Sequence, residues 1–143
     1  MEEKIINELL KLSEKALKKN DVPISAIIVD ENGKIISRAY NTRNIKQKTI
    51  NHAEIIAINK ANKKLKSWRL NNCTLYVTIE PCDMCKAVIK ESRMSHVYYL
   101  LPKLPEKNQY NKTTFEKLLS IEKNEEKYQE IINKFWKNMR KMI

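Results

Sequence analysis

Pro81-Cys82-Asp83-Met84-Cys85 sets two thiols two residues apart, directly after a β-rich apolar run that ends at Ile79. Thiols at that spacing can face one metal from the first turn of a helix, where the positive end of the helix dipole favours thiolates. Proline suits such a start, because the helix N–H that it lacks would be unpaired there anyway. Taken alone, the pair also fits a redox couple or half of a structural zinc site. Thirty residues earlier, His52-Ala53-Glu54 opens a second stretch with helical spacing. One neutral imidazole and two thiolates make three protein ligands, and a catalytic zinc keeps its fourth position open where a structural one is closed. Water in that position becomes a nucleophile near neutral pH. A carboxylate two residues from a ligand can carry its proton to a leaving amine. The expected site is one zinc ion per subunit on His52, Cys82 and Cys85, with Glu54 moving protons. Any fold of this chain must bring two helix starts to one point.

The rival readings are specific. His96, ten or so residues beyond Cys85, could close a structural Cys2His2 site, but such a site leaves Glu54 without a purpose. No thioredoxin-like context surrounds the Cys82/Cys85 pair, and Cys73 reads as a small buried side chain.

Around these motifs the hydrophobic pattern alternates between two periods. Helical spacing runs through 2–19, on Ile5, Ile6, Leu9, Leu12, Ala16 and Leu17, and stops at Asn20-Asp21 before Val22-Pro23. Residues 24–29 and 34–40 read as two strands joined at Glu31-Asn32-Gly33, the turn that holds the only glycine. After a polar loop, a helix is predicted over 52–64, a strand over 73–79, a helix over 83–91 and a strand over 96–101. Pro102 and Pro105 interrupt the pattern, and 113–120 fits helix or strand equally. A final amphipathic helix over 123–142 places Tyr128, Ile131, Ile132, Phe135 and Met139 on its inner side. A hairpin followed by alternating strands and helices predicts an α/β fold: a three-layer α/β/α sandwich around a mixed sheet. The 143 residues fit a single domain, 1–143.

Charge and targeting signals bear on partners. Of the net charge of +11, residues 34–71 carry +9: ten basic groups stand against one acid, Glu54. Such concentration is an electrostatic footprint for phosphate and hence nucleic acid. Fifteen asparagines and one glycine also suit an AT-rich genome that inflates lysine, and lysines 60–66 suit a solvated helix face. No apolar run approaches the roughly 20 residues of a membrane span. The N-terminus lacks a signal-peptide pattern, so a cytoplasmic location away from the membrane is expected.

His-x-Glu followed by Pro-Cys-x-x-Cys is the signature of zinc-dependent nucleobase deaminases. More of the chain follows one branch of them. Val22-Pro23-Ile24, Asn51 to Ile55, and Trp68-Arg69-Leu70 through Thr74 to Cys85 closely resemble bacterial tRNA-specific adenosine deaminases, which have the cytidine-deaminase type of fold. Ser92-Arg93 and Phe135-Trp136 to Met139-Arg140 are similar to that family's pattern too. The resemblance implies conversion of the wobble adenosine of a tRNA anticodon loop to inosine, in a homodimer whose subunits both shape the RNA site. It implies that Asn41 hydrogen-bonds the flipped base or its ribose and that Ala53 offers a backbone N–H to the purine. It also implies that Val22 forms an apolar wall and that the backbone of Glu80 and Pro81 lines the leaving group. Without it, Asn41 reads as a strand end or an Asx turn, and Phe135 and Trp136 as core, dimer or base-stacking aromatics. A deaminase of a free guanine or cytosine-type base, and a non-catalytic zinc-stabilised RNA-binding protein, are the alternatives. The chain departs from the family at Ser25, where glycine is usual, and at Lys86-Ala87-Val88, where residues are small. Leu101 to Lys107 stands in place of a Gly-rich, Asp-containing loop.

Overall fold

A computed structural model describes residues 2–103, 113–118 and 122–141. In chain order the elements are α1 (Glu2–Lys18), β1 (Ser25–Val29), β2 (Ile35–Tyr40), α2 (Arg43–Lys46), α3 (Ala53–Leu65), β3 (Thr74–Ile79), α4 (Asp83–Glu91), β4 (His96–Leu101) and α5 (Glu122–Lys141). The strands run in the order β2-β1-β3-β4; β1 is antiparallel to β2 and β3, and β3 is parallel to β4. The expected mixed sheet with its opening hairpin is thus what forms. In the hairpin, Asp30 Oδ1 accepts the N–H groups of Asn32 and Lys34, and Gly33 takes φ 80°. A positive φ there suits a residue without Cβ.

Helices cover both faces of this sheet. Successive side chains of a strand point to opposite faces, and β1, central and buried throughout, divides its residues accordingly. Ala26 and Ile28 join Leu75, Val77, Leu70 and Ile89 in the larger core beneath α3 and α4. From α3 this core receives Ala53, Ala57, Ile58 and Ala61, whose small alanines let the helix lie close to the sheet. Ile27 and Val29 face the other way, onto Ile5 and Leu9 of α1. Glutamates 2 and 3 in the first turn of α1 and lysines 15 and 18 in its last suit the helix dipole. Ser25 lies on that face fully buried; its hydroxyl donates to the Leu9 carbonyl at 2.6 Å and lies 3.0 Å from Ser13 Oγ. The departure from glycine is accommodated by satisfying the hydroxyl.

Two compact units divide the chain, Met1–Pro105 and Glu106–Ile143. The first holds the sheet and its covering helices. Within it the loop after β2, read from sequence as plain polar loop, contains the short helix α2. In the second unit, 113–118 is neither helix nor strand, and 119–120 of that ambiguous stretch lie outside the described residues. Helix α5 forms as expected, although residue 142 also lies outside. Of the predicted inner side of α5, Tyr128, Ile131, Phe135 and Met139 are exposed and Ile132 is half-buried. Spacing defines an apolar stripe but not the surface that will cover it. Of the replaced loop after β4, residues 104–107 lie outside the described set.

Candidate active site

Two helix N-termini meet at the edge of the larger core. His52 and Cys82 are the N-cap residues of α3 and α4, each with extended backbone and neither making a side-chain cap. Their side chains turn toward each other instead. His52 Nδ1 lies 3.6 Å from Cys82 Sγ and 3.4 Å from Cys85 Sγ. Zinc with N and S ligands at its usual bond lengths in tetrahedral geometry requires an N···S edge of about 3.6 Å. The donors are therefore spaced for one tetrahedral ion, and all three ligand atoms lie within 4.8 Å of one another. Among the described residues this is the group that could hold a metal, and His96 is not in it. His96 is exposed at the start of β4, its ring stacked 6.1 Å from that of Tyr98. The His96→Ala variant is expected to keep its full zinc content by metal analysis. Loss of the ion in that variant would mark a closed, four-ligand site.

Electrostatics favour a cation here. Burial pushes the pKa of the Cys85 thiol far up, and Glu54 and Cys82 beside it push in the same direction. Burial also raises Glu54, 4% exposed in the first turn of α3, against a lowering hydrogen bond from Cys85. His52 is lowered by burial and by Arg43, with Asp21 opposing, which keeps the ring neutral and able to bind a metal. Buried sulfurs and a carboxylate crowded together repel as anions, and a divalent cation reverses that balance.

A second arrangement adjoins the ligands. Asp21, buried in the turn after α1, accepts four hydrogen bonds. Oδ1 receives the Val22 N–H at 2.9 Å and Asn41 Nδ2 at 3.2 Å, and Oδ2 receives the N–H groups of Asn44 and Ile45, both at 2.9 Å. Burial alone would raise the pKa of Asp21, but these donors outweigh it and hold the carboxyl below its ordinary value. Asp21 thereby satisfies two open N–H groups of α2, whose own N-cap, Thr42, makes no side-chain cap. The oriented Asn41 in turn accepts the Ala53 N–H through Oδ1 at 3.1 Å. The resemblance implies that this N–H meets a purine; in the structure it is donated to Asn41. Asn41 donates one Nδ2 proton to Asp21, and its amide carries a second. In the sequence Asp21 belongs to the stop signal after α1, and its one mark is an acid placed directly before Val22-Pro23.

The remaining predicted residues take up distinct positions. Pro81 is buried at the junction of β3 and α4, and Val22 is 44% exposed. Lys86, at one of the positions where small residues are usual, reaches back to Glu80 Oε2 at 2.7 Å.

Comparison with known proteins agrees with this geometry. Residues 1–101 match the family model of the cytidine and deoxycytidylate deaminase zinc-binding region, and the chain belongs to that family. The tRNA-specific adenosine deaminase of Rickettsia bellii (strain RML369-C) is 48% identical over 95 residues, 66% of this chain and 66% of that protein. That of Bacillus subtilis (strain 168) is 45% identical over 98 residues, 68% of this chain but 60% of the relative. The matches thus span less than two thirds of these relatives' own lengths. Among solved structures, one from work on A-to-I editing by tRNA:A34 deaminases at the wobble position of transfer RNA superposes with a TM-score of 0.66. It is 35% identical, with coverage of 68% of this chain and 75% of that one. A guanine deaminase from Bacillus subtilis shares the fold over more of the chain, 93% here and 94% there, with a TM-score of 0.77 at 23% identity.

Proposed function

We propose that this chain is a zinc-dependent hydrolase that converts adenosine to inosine at the wobble position of a tRNA anticodon loop. The observation that carries the reading is a three-ligand His52/Cys82/Cys85 group with buried Glu54 beside it. The substrate is supported by relatives named as tRNA-specific adenosine deaminases at 45–48% identity. A zinc ion on these ligands supplies Lewis acidity and a water nucleophile near neutral pH. Glu54 takes the proton from the attacking water and delivers it to the amine leaving C6. Its raised pKa suits a group that must hold a proton between those steps.

The adenine must leave its stack to reach such a site. Asn41 offers its free amide proton to the base or ribose, held in aim by Asp21 on one side and Ala53 on the other. Val22 supplies an apolar wall, and the backbone of Glu80 and Pro81 lines the exit for ammonia. The same proposal treats residues 1–143 as one functional domain acting as a homodimer in the cytoplasm, where tRNA is edited. Coverage of 93% of the chain by a single deaminase fold supports the domain reading. No helix among the described residues is long and apolar enough to cross a membrane.

Incubation with a tRNA bearing a wobble adenosine, in parallel with guanine and cytidine, tests the assignment. Inosine in the anticodon and one ammonia per inosine are the expected products, with binding that weakens steeply as salt rises. Ammonia from a free base alone, insensitive to salt, would transfer the chain to a free-base deaminase.

A further inference from the structure

Outside the metal site, the described surface holds a cleft of about 440 Å³ between the end of β2, the loop after it and one side of α3. Lys19, Tyr40, Thr42, Lys46, Asn51 and Lys60 line it beside Ile45, Ile56 and Asn59, and no carboxylate among the described residues does. The cleft adjoins the active site through the chain itself: Tyr40 and Thr42 flank Asn41, and Asn51 precedes His52. Thr42 and Asn51 are bound to each other, the Thr42 N–H to the Asn51 carbonyl at 3.0 Å and Asn51 Nδ2 to Thr42 Oγ1 at 3.1 Å. That edge is therefore fixed to the segment carrying both Asn41 and His52.

The hydrogen bonds within the cleft leave donor capacity unused. Lys19 Nζ donates to Tyr40 Oη at 2.7 Å, so the phenol accepts from the ammonium and its own O–H is free to donate. The hydrogen bond from Lys19 pulls the Tyr40 pKa down, with charge on Lys19, Lys15 and Lys60 adding to it, which strengthens that donor. Lys60 Nζ gives one proton to the Arg38 carbonyl at 2.8 Å and keeps two. Thr42, whose oxygen accepts from Asn51, likewise keeps its O–H. A cleft with several N–H and O–H donors, three ammonium groups and no anion is chemically matched to a phosphate ester.

We propose that this cleft binds a backbone phosphodiester of the RNA strand whose target base enters the metal site. The inference rests on the tRNA-editing reading for the identity of the strand, while the phosphate chemistry rests on Lys19, Tyr40 and Lys60 alone. Holding a phosphate at a fixed distance from His52 would set the register of the strand and so help decide which nucleotide reaches the site.

The test is the full-length double variant Lys19→Gln/Lys60→Gln, titrated with an anticodon stem-loop RNA at several salt concentrations. Both side chains are exposed, and zinc content and Tm check that the variant is folded. Affinity is expected to fall about tenfold, and the slope of log K against log salt to shrink by about 1.4, two single-strand contacts at about 0.7 each. Tyr40→Phe, which keeps the ring but not the O–H, is expected to weaken binding by about threefold. Wild-type affinity and slope in the double variant would overturn the proposal. So would an effect confined to a free 5′-mononucleotide, which would make the cleft a small-phosphate site. If wild-type protein binds the stem-loop without editing it and the double variant still loses affinity, the cleft stands and the editing reading falls.

Discussion

Glu54→Gln is expected to keep its zinc and to lower kcat by about a thousandfold. The variant preserves the size of a side chain that is 4% exposed, so the core beneath α3 should close around it as before. It removes the ability to take up and release a proton, an effect that is typically worth 10²–10⁴ in rate. Metal analysis and inosine formation on the same preparation separate the two roles. Loss of zinc together with activity would show that Glu54 supports the metal rather than the chemistry. Unchanged turnover would remove it from the mechanism.

Removal of the metal should affect stability as well as activity. His52→Ala is expected to reduce zinc from about one ion per chain to near zero and to abolish turnover. Chelation of the wild-type protein should lower Tm by about 10 °C, because an ion present at about 1,000 times its Kd stabilises by about 4 kcal/mol. The His52→Ala protein should show no shift with chelator. Zinc affinity should also weaken as pH falls. Burial holds the Cys85 thiol protonated up to unusually high pH in the absence of metal, so binding must displace a proton and is favoured by alkali. Competition with a chelator of known affinity at several pH values measures this. A pH-independent affinity would mean that the thiols are already ionised.

The metal-ligand group was legible in the sequence because its residues lie at helix starts. Two N-caps each place their ligands within a few residues of one another, and such local spacing survives as a motif. The central strands were legible for a different reason: Ser25–Val29 is buried on both faces, and its run is apolar for that cause. Asp21 was not legible. Its role depends on where the loop after β2 returns, which no local pattern encodes. The same return produces α2, a four-residue helix two of whose N–H groups are satisfied by a carboxylate more than twenty positions earlier. Nor could the sequence show that the Ala53 N–H is already engaged, since that depends on the side chain of Asn41. Helix α5 shows the limit of periodicity: Phe135 and Trp136 pack edge to face at 5.2 Å, yet both remain exposed.

The four hydrogen bonds to Asp21 have a bearing on how the site meets its ligand. They fix Asn41 and the start of α2 while the chain folds, so the ordering entropy of that loop is met by folding and not by binding. Under the proposed function, an amide aimed beforehand has one rotamer to offer and would reject bases whose donors and acceptors do not match that aim. Discrimination between nucleobases in this chain would then come from a carboxylate that never touches them.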